Sequence, residues 1–465
     1  MHVSAPLPGA EVGSTPTVGA GVISLEELRS LPAEQQPDYA DAERVDQVMA
    51  ELKVLPPLVF AGECDTLTTR MAQVARGEAF VLQGGDCAET LAGVRAASIR
   101  NTLRTLLSMS VVLTYAAGVP VVKLGRIAGQ YAKPRSKATE TRGGVELPAY
   151  RGDAVNGFPF TAADRAHDPD RLLRVYNASA ATLNLVRAFT QGGEADLRQV
   201  HAWNTAFVAE SPAGATYERL ARDIDRAIGF MRACGIDSPA FSQVDLYSSH
   251  EALLLEYEHA MTRIDSRTSI PYNTSGHFLW IGERTRQIGG AHMALLAGVA
   301  NPIGVKLGPT TTVEQALDYV RFLNPENVPG RLTFITRMGA ANIRSVLPPL
   351  LRGVTESGAE VAWVSDPMHG NTYEAESGYK TRRFDDVLDE VYGFFQAHAA
   401  EGTWPGGVHV ELSGEEVTEC VGGGYQLVED DLAQRYESVC DPRLNRAQSL
   451  EMAFLVADML GKAAR

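Results

Sequence analysis

Short apolar runs rich in β-branched residues recur along the chain, and each run is followed by a loop and then by a helical pattern. Eight runs are candidate strands: residues 79–85, 119–126, 243–249, 277–283, 303–309, 331–339, 360–366 and 407–414. Continuous apolar strands separated by helices are typical of a parallel sheet that is covered on both faces. Eight such units favour a closed barrel over an open doubly wound sheet. The pattern therefore predicts an α/β protein with a (β/α)8 TIM-barrel fold.

Helices are predicted where apolar residues recur at three- and four-residue spacing. The clearest stretches are residues 313–323, 343–358, 384–402 and 449–465, and the second of them contains a proline interruption. The middle two end near a glycine, as helices commonly do. The last stretch is expected to be the closing helix of the barrel.

Two regions exceed what a minimal barrel needs. Residues 1–22 are rich in Gly, Pro, Ser and Ala and are expected to form a flexible tail, and residues 23–75 are predicted to form a helical N-terminal extension. The barrel is expected over residues 76–465, with a helical insertion at about residues 150–240 between strands two and three. Helices that the barrel does not need suggest subunit contacts or regulation, with simple packing as the alternative.

The composition of the chain limits the kinds of molecule that it is expected to bind and the compartment in which it is expected to work. The chain of 465 residues has a formal net charge of −15, which argues against nucleic acid or an anionic membrane, since both need a basic surface. The longest apolar region is broken before it reaches ~18 residues, so no membrane span is expected. Five cysteines in so long a chain, together with a start that lacks a signal-peptide pattern, fit a reducing cytoplasm. The sequence therefore predicts a cytoplasmic protein.

Basic side chains follow several of the predicted strands. In a (β/α)8 barrel the loops at the carboxyl ends of the strands converge on one mouth, where active sites lie. The cations expected there are Arg126, Lys133, Arg135, Arg284, Lys306 and Arg337. Guanidinium groups match the geometry of phosphate and carboxylate, and lysine supplies a point charge. The set predicts one or two substrates with several negative charges; the alternative is that each cation pairs with a nearby acid on a solvated rim.

A second set at the same mouth has the chemistry of metal ligands. Its members are Cys87, His369, Glu411 and Asp441, and all but Asp441 stand at the carboxyl end of a predicted strand. Mixed sulfur, nitrogen and oxygen ligation suits Mn²⁺, Fe²⁺, Co²⁺ or Zn²⁺. Two alternatives stay open. Cys87 could be a small buried apolar residue, and His409, two residues before Glu411, is a rival ligand, although we favour a place for it within the barrel.

Seven segments of the chain together resemble the motifs of a known protein family. They are LQGGDCAET, GRIAGQYAKPRS, WIGERTRQIGGAH, GVKLGPT, RMGA, SDPMHGNT and CDPRLN. In this order, from about residue 40 to the C-terminus, they closely resemble type II 3-deoxy-D-arabino-heptulosonate 7-phosphate (DAHP) synthases, the plant and actinobacterial form of the first shikimate-pathway enzyme. The resemblance implies a (β/α)8 barrel that condenses phosphoenolpyruvate with erythrose 4-phosphate and depends on a divalent metal.

The resemblance also implies a role for each matching residue. The metal ligands correspond to Cys87, His369, Glu411 and Asp441. The phosphoenolpyruvate site corresponds to Arg126, Glu283, Arg284, Lys306 and Arg337, of which Lys306, Glu283 and Arg126 are expected to be catalytic. The loop that binds the aldose phosphate corresponds to Lys133, Pro134, Arg135 and Ser136. The preferred metal is Mn²⁺, with Co²⁺, Fe²⁺ and Zn²⁺ as alternatives; a homo-oligomer, dimer or tetramer, is expected, and a chorismate mutase is a candidate partner.

Other functions stay open at this point. Residues 137–153 and 266–277 look less typical of housekeeping family members, so the alternative activity is an aminoDAHP synthase or a DAHP synthase dedicated to an antibiotic pathway. A catalytically silent barrel that binds a metabolite would lack ligands or basic positions, and none is missing. Whether the helical insertion senses aromatic amino acids is not decided by any residue pattern.

Overall fold

Eight parallel strands form a closed barrel at the centre of the molecule. The computed structural model describes residues 22–192, 195–210, 214–235 and 243–463. In chain order its strands are β1 Phe80–Gly85, β2 Val121–Arg126, β3 Thr139–Arg142, β4 Val145–Pro148, β5 Tyr247–Glu251, β6 Thr262–Ile264, β7 Pro271–Asn273, β8 Phe278–Ile281, β9 Ile303–Leu307, β10 Leu332–Thr336, β11 Ala362–Ser365, β12 Thr372–Glu374, β13 Lys380–Arg382 and β14 Gly407–Glu411. The barrel closes in the order β1, β14, β11, β10, β9, β8, β5, β2, and the remaining strands form three two-stranded hairpins. The predicted (β/α)8 barrel is confirmed.

Helices surround this barrel. They are α1 Leu25–Ser30, α2 Ala42–Val54, α3 Ala61–Ala75, α4 Ala96–Ala117, α5 Ala162–Arg165, α6 Asp170–Gln191, α7 Leu197–Glu210, α8 Gly214–Ala233, α9 Leu255–Met261, α10 Ala291–Ala297, α11 Val313–Leu323, α12 Ile343–Glu356, α13 Phe384–Glu401 and α14 Arg446–Ala463. The helix predicted at residues 313–323 has the predicted bounds, and the next two end one or two residues earlier than predicted. The last helix begins at Arg446 instead of residue 449, and its predicted residues 464–465 lie outside the described residues. α12 continues through Pro348 and Pro349. No helix in the described part of the chain is long and apolar enough to cross a membrane.

One barrel strand lies later in the chain than its apolar pattern indicates. The third strand was predicted at residues 243–249, whereas β5 begins at Tyr247 and ends at Glu251. Strand pairing decides this position, because Tyr247 pairs with Leu124 of β2 and Glu251 pairs with Trp280 of β8. The prediction was wrong in register, since a polar strand end is stabilised here by hydrogen bonds to its neighbours rather than by apolar side chains.

The third helix of the N-terminal extension closes one end of the barrel. Leu67, Met71 and Val74 of α3 are fully buried and belong to one apolar cluster with barrel side chains such as Ile335 and Ala362. For the extra helices, subunit contacts, regulation and simple packing were the alternatives, and α3 packs into the barrel core. The helix completes the core, because the interior of a barrel of this size is filled by side chains and its end must be covered.

The helical insertion packs on the outside of the barrel. α5 to α8 and the hairpin of β3 and β4 lie between β2 and β5. Tyr217 of α8 stacks on Phe454 of α14, with ring centroids 4.6 Å apart, and the ring centroid of Phe207 of α7 is 6.4 Å from that of Phe454. The insertion is therefore fixed to a barrel helix by aromatic contacts. Its division as a separate unit stays a prediction, and the predicted tail lies outside the described residues except for Val22.

We expect that replacing Gly330 by alanine will destabilise the fold through α3. Gly330 has a φ of +81°, and an added Cβ would lie 2.1 Å from the carbonyl oxygen of Thr68 and 2.5 Å from the amide nitrogen of Ala72, both on α3. Gly358 is a matched control, because its φ is +76° but an added Cβ would have no heavy atom within 4 Å. Backbone strain alone predicts a loss of about 1–2 kcal/mol for Gly358→Ala, and forced displacement adds about 1–3 kcal/mol for Gly330→Ala. If the two variants lose the same free energy of unfolding in a denaturant titration, α3 does not pack tightly against this turn.

Candidate active site

The residues predicted to bind substrates and metal lie together at the carboxyl ends of the barrel strands. A cavity of about 630 Å³ opens there. The predicted residues that line it are Lys133, Pro134, Arg135, Ser136, Glu283, Arg284, Lys306, Arg337, His369 and Asp441. The remaining three are Cys87, Arg126 and Glu411, which are buried next to it. The barrel thus brings together side chains that are spread over most of the sequence.

The four predicted metal ligands meet in one place. The Sγ atom of Cys87 and carboxylate oxygens of Glu411 and Asp441 lie within 4.8 Å of one another. His369 joins them, with its Nε2 atom 3.1 Å from Oε1 of Glu411. A thiol, an imidazole and two carboxylates therefore face a common centre. This is a candidate metal site, and its donor set suits a divalent first-row ion.

The ammonium group of Lys133 lies among these four side chains. Its Nζ atom is 3.1 Å from Sγ of Cys87 and 2.8 Å from Oε1 of Glu411. It is also 3.2 Å from Oδ2 of Asp441 and 3.4 Å from Nε2 of His369. Burial would lower the pKa of Lys133, but Cys87 and Glu411 outweigh it and raise this pKa well above its ordinary value. The single positive charge of Lys133 contacts all four predicted ligands, so these four side chains are arranged to hold a cation.

Glu411 is the acid on which most contacts of the site converge. Its Oε1 atom accepts hydrogen bonds from Arg126 at 3.0 Å and from Lys133, and its Oε2 atom accepts one from Arg382 at 2.9 Å. Burial would raise the pKa of Glu411, but His369, Lys133 and Arg382 hold it well below its ordinary value. Glu411 is therefore a carboxylate at neutral pH, although it is fully buried.

Two basic residues of the site were missed by sequence reasoning. Arg382 and Lys380 lie on β13, in the hairpin that follows the seventh barrel strand. Arg382 contacts Glu411, and the Nζ atom of Lys380 is 3.1 Å from Oδ1 of Asp441. Their signal in the sequence is the basic run KTRR at residues 380–383. It was not recognised because a hairpin lies between it and the strand end.

Asp366 is a further site residue that the sequence did not assign. Its Oδ2 atom accepts a hydrogen bond from Nζ of Lys306 at 2.6 Å and lies 2.8 Å from Nδ1 of His369. A proton on Nδ1 of His369 leaves Nε2 free to bind a metal, which is the usual arrangement for a metal-binding histidine. Burial would raise the pKa of Asp366, but His369 and Lys306 hold it well below its ordinary value. The spacing of three residues before His369 is the sequence signal for this role.

His409 lies inside the barrel and is fully buried. Its Nδ1 atom is 2.7 Å from Oε1 of Gln83, and its Nε2 atom is 2.7 Å from Nη1 of Arg126. Burial lowers the pKa of His409 well below its ordinary value. Both ring nitrogens are engaged within the barrel, so His409 supports Arg126 and is not placed as a metal ligand.

The other predicted cations are arranged around the cavity with different partners. Arg284 donates to the hydroxyl of Ser136 at 2.8 Å, and Arg337 donates to the carbonyl oxygen of His369 at 2.9 Å. These neutral partners do not cancel the charge of either guanidinium. Burial lowers the pKa of Lys306 despite the attraction of Asp366. The rim alternative, in which every cation pairs with an exposed acid, does not describe these three residues.

The loop that carries Lys133 to Ser136 is held from two sides. The partly buried carboxylate of Glu89 accepts hydrogen bonds from the backbone amides of Ala128, Gly129 and Gln130 at 2.8–2.9 Å. Further along, the amide of Arg135 donates to the side chain of Gln35 at 2.8 Å. Gln35 lies between α1 and α2, so the N-terminal extension contacts the mouth of the barrel. The position of this loop therefore depends on contacts far from it in sequence.

The chain is similar to known proteins over most of its length. The model of the class-II DAHP synthetase family matches residues 23–457. A phospho-2-dehydro-3-deoxyheptonate aldolase of Streptomyces coelicolor is 67% identical over 431 residues, which cover 93% of this chain and 96% of that protein. Phospho-2-dehydro-3-deoxyheptonate aldolase AroG of Mycolicibacterium smegmatis is 53% identical and is covered to 94%, as is this chain.

A solved phospho-2-dehydro-3-deoxyheptonate aldolase of Francisella tularensis aligns with 90% of this chain and 97% of its own, at 14% identity and a TM-score of 0.44. The family match spans nearly the whole described chain, and the two relatives are similar over almost their entire lengths. The resemblance seen in the sequence is confirmed: the chain belongs to the class-II DAHP synthetase family.

Proposed function

We propose that this chain is a DAHP synthase, which condenses phosphoenolpyruvate with erythrose 4-phosphate and releases phosphate in the first step of the shikimate pathway. Two relatives are named phospho-2-dehydro-3-deoxyheptonate aldolases. The observation that carries the proposal is the position of the cluster of Cys87, Glu411 and Asp441 beside a cavity lined by basic side chains. Two phosphorylated anions need such a cavity, and an aldol-like condensation needs an electrophilic centre next to it.

The charged side chains form two groups, and we assign one group to each substrate. We assign the phosphoenolpyruvate site to Arg126, Glu283, Arg284, Lys306 and Arg337. The loop of Lys133, Pro134, Arg135 and Ser136 is assigned to the aldose phosphate. The hydrogen bond of 2.8 Å between Arg284 and Ser136 brings the two groups of residues into contact. This contact supports a site in which both substrates bind side by side, in reach of one another.

The reaction joins C3 of phosphoenolpyruvate to the aldehyde carbon of erythrose 4-phosphate. Water then adds at C2, and cleavage of the C–O bond releases phosphate. A bound divalent ion would supply Lewis acidity at the aldehyde oxygen. Lys306 and Arg126 hold the anionic groups in the attack geometry and stabilise developing charge. Glu283, whose Oε1 atom accepts a hydrogen bond from Arg286 at 2.6 Å, is the group that we assign to proton transfer.

The metal that we propose is Mn²⁺, held by Cys87, His369, Glu411 and Asp441, and the same donors accept Co²⁺, Fe²⁺ or Zn²⁺. We also propose a cytoplasmic homo-oligomer, dimer or tetramer. The net charge of −15 supports small-molecule substrates over nucleic acid and anionic membranes. A chorismate mutase partner is a hypothesis that rests on the family alone. The aminoDAHP and antibiotic-pathway alternative is not favoured, because the relatives are named for the ordinary reaction.

Replacing His369 by alanine is expected to abolish metal-dependent turnover while leaving the fold intact. The variant removes one of the four proposed ligands, and the side chain is only partly buried, so little packing is lost. We expect phosphate release to fall by at least about 100-fold and Mn²⁺ binding, followed by electron paramagnetic resonance, to weaken in parallel. Unchanged circular dichroism would exclude unfolding as the cause. Full activity in this variant would refute the metal assignment.

Replacing Asp366 by asparagine is expected to weaken metal binding without removing a ligand. Both oxygens of Asp366 face donors, because Oδ2 faces Lys306 and the ring of His369 and Oδ1 accepts from the backbone amides of Met368 and His369. The amino group of an asparagine must meet one of these two sets of donors, so the ring of His369 loses its fixed orientation. Loss of such a partner typically lowers metal affinity or activity about 10- to 100-fold. Asp458→Asn is a control, because it breaks an exposed ion pair with Lys462 on α14. The role of Asp366 is disproved if both variants bind Mn²⁺ as the unaltered protein does.

Metal removal and a substrate panel test the activity itself. Treatment with a chelator should abolish phosphate release from phosphoenolpyruvate and erythrose 4-phosphate, and added Mn²⁺ should restore it. We expect kcat/KM for erythrose 4-phosphate to exceed that for its imino analogue by at least about tenfold, since one misplaced polar group in a built site costs that much or more. A preference for the imino analogue would instead support the aminoDAHP alternative.

A further inference from the structure

The side chain of Glu390 reaches two loops of the barrel mouth from an outer helix. Glu390 lies on α13 and is fully buried. Its Oε1 atom accepts hydrogen bonds from the backbone amides of Met338 at 2.8 Å and Gly339 at 2.9 Å. Its Oε2 atom accepts one from Nδ2 of Asn371 at 2.7 Å. The first two residues follow β10, and Asn371 follows β11.

We propose that Glu390 is a positioning residue that fixes the loop of Arg337 relative to the loop of His369. Arg337 immediately precedes Met338, and His369 lies two residues before Asn371. One carboxyl group thus binds both loops within two residues of a side chain assigned to phosphoenolpyruvate or to the metal. The proposal rests on the function proposed above, because it presumes those two assignments.

Asn371 continues the connection between the two loops. Its Oδ1 atom accepts a hydrogen bond from the amide of Ala340 at 3.0 Å, and its Nδ2 atom also donates to the carbonyl oxygen of Pro367 at 2.8 Å. The side chain therefore bonds its own loop, the neighbouring loop and Glu390 at once. With both amide positions engaged, the orientation of Asn371 is fixed, and Glu390 must present an acceptor to it.

The two loops also touch through their backbones. A Cβ added to Gly370 would lie 2.4 Å from the amide nitrogen of Gly339, whose own φ is +82°. Arg337 closes the contact by donating to the carbonyl oxygen of His369 at 2.9 Å. Because the backbones pack this closely, a shift of one loop moves the other. Loss of the shared carboxylate is therefore expected to displace Arg337 and His369 together.

A simpler role for Glu390 is to stabilise the start of α12. The amides of Met338 and Gly339 precede this helix, and an acid near a helix N-terminus is favourable. That role alone predicts lower stability with unchanged ligand binding. The positioning role predicts in addition weaker metal binding and a higher KM for phosphoenolpyruvate, while the KM for the aldose phosphate changes little. Metal affinity and the pattern of KM values therefore separate the two roles.

The variant Glu390→Gln tests the proposal with little change of volume. One oxygen of the glutamine can still accept from both backbone amides, but its amino group would face the donor Nδ2 of Asn371. We expect the Kd for Mn²⁺ and the KM for phosphoenolpyruvate each to rise about tenfold, with the KM for erythrose 4-phosphate within about twofold of the unaltered protein. Asp389→Asn, the next residue on α13, is the matched control, because it weakens only the exposed pair with Arg344.

The double variant Glu390→Gln with Asn371→Asp tests whether the two side chains are coupled. The new aspartate can accept from the glutamine amino group and from the amide of Ala340, but it loses the hydrogen bond that Asn371 donates to the carbonyl oxygen of Pro367. We therefore expect the loss in Mn²⁺ affinity of the double variant, on a logarithmic scale, to be smaller than the sum of the losses of the two single variants, as coupled neighbours in a double-mutant cycle show. Losses that simply add would overturn the proposal.

Hydrogen exchange separates failure of this proposal from failure of the proposed function. Glu390→Gln should speed amide exchange in residues 337–343 and 366–372, and Asp389→Asn should not. This measurement, like Mn²⁺ affinity, needs no turnover, so it can be read even if the condensation activity is absent. Unchanged exchange in both segments, or an equal rise in KM for both substrates, would overturn the positioning role.

Discussion

The mouth of this barrel is organised by one buried carboxylate. Glu411 ends the last barrel strand and is contacted by Arg126, Lys133, Arg382 and His369 at 2.8–3.1 Å. A charge that is removed from water is tolerated only when well-placed partners of opposite charge compensate it. Removing one partner typically lowers the free energy of unfolding by about 3–5 kcal/mol. The four partners come from β2, from the loop after it, from β13 and from the loop after β11. Because four segments must all bring a side chain to Glu411, the need to balance its charge fixes how these segments pack together. The position where they meet is suited to a cation.

Other acids of the barrel mouth contact loops in the same way, through several hydrogen bonds to one carboxyl group. Glu89 binds three successive amides of the loop that leads to Lys133. Asp366 joins Lys306 to His369, and Glu390 binds the loops after β10 and β11. Sites on loops are less exact than sites on strands unless a supporting shell holds them. Here the support comes from carboxylates whose acceptor oxygens satisfy loop amides that strand pairing leaves unpaired.

The two ends of the barrel have opposite chemistry. At one end α3 closes the interior with Leu67, Met71 and Val74, so that apolar burial provides the stability. At the other end charged groups surround a cavity of about 630 Å³. The charged end can therefore contain interactions that lower the stability of the fold, because the apolar packing of the rest of the core does not depend on them. It matches the general separation of stability and activity in barrels of this type.

The sequence by itself determined the barrel, because eight apolar runs separated by helical patterns have few other arrangements that bury both faces of a parallel sheet. It also placed Cys87, His369 and Glu411 at strand ends, since the carboxyl ends of parallel strands share one edge. Only the tertiary structure decided the register of β5, the role of α3, and the contacts of Asp366, Arg382 and Glu390. These depend on strand pairing, on closure of the barrel end and on side chains from distant segments, and neither the period nor the spacing of residues in a single sequence determines which of these side chains meet.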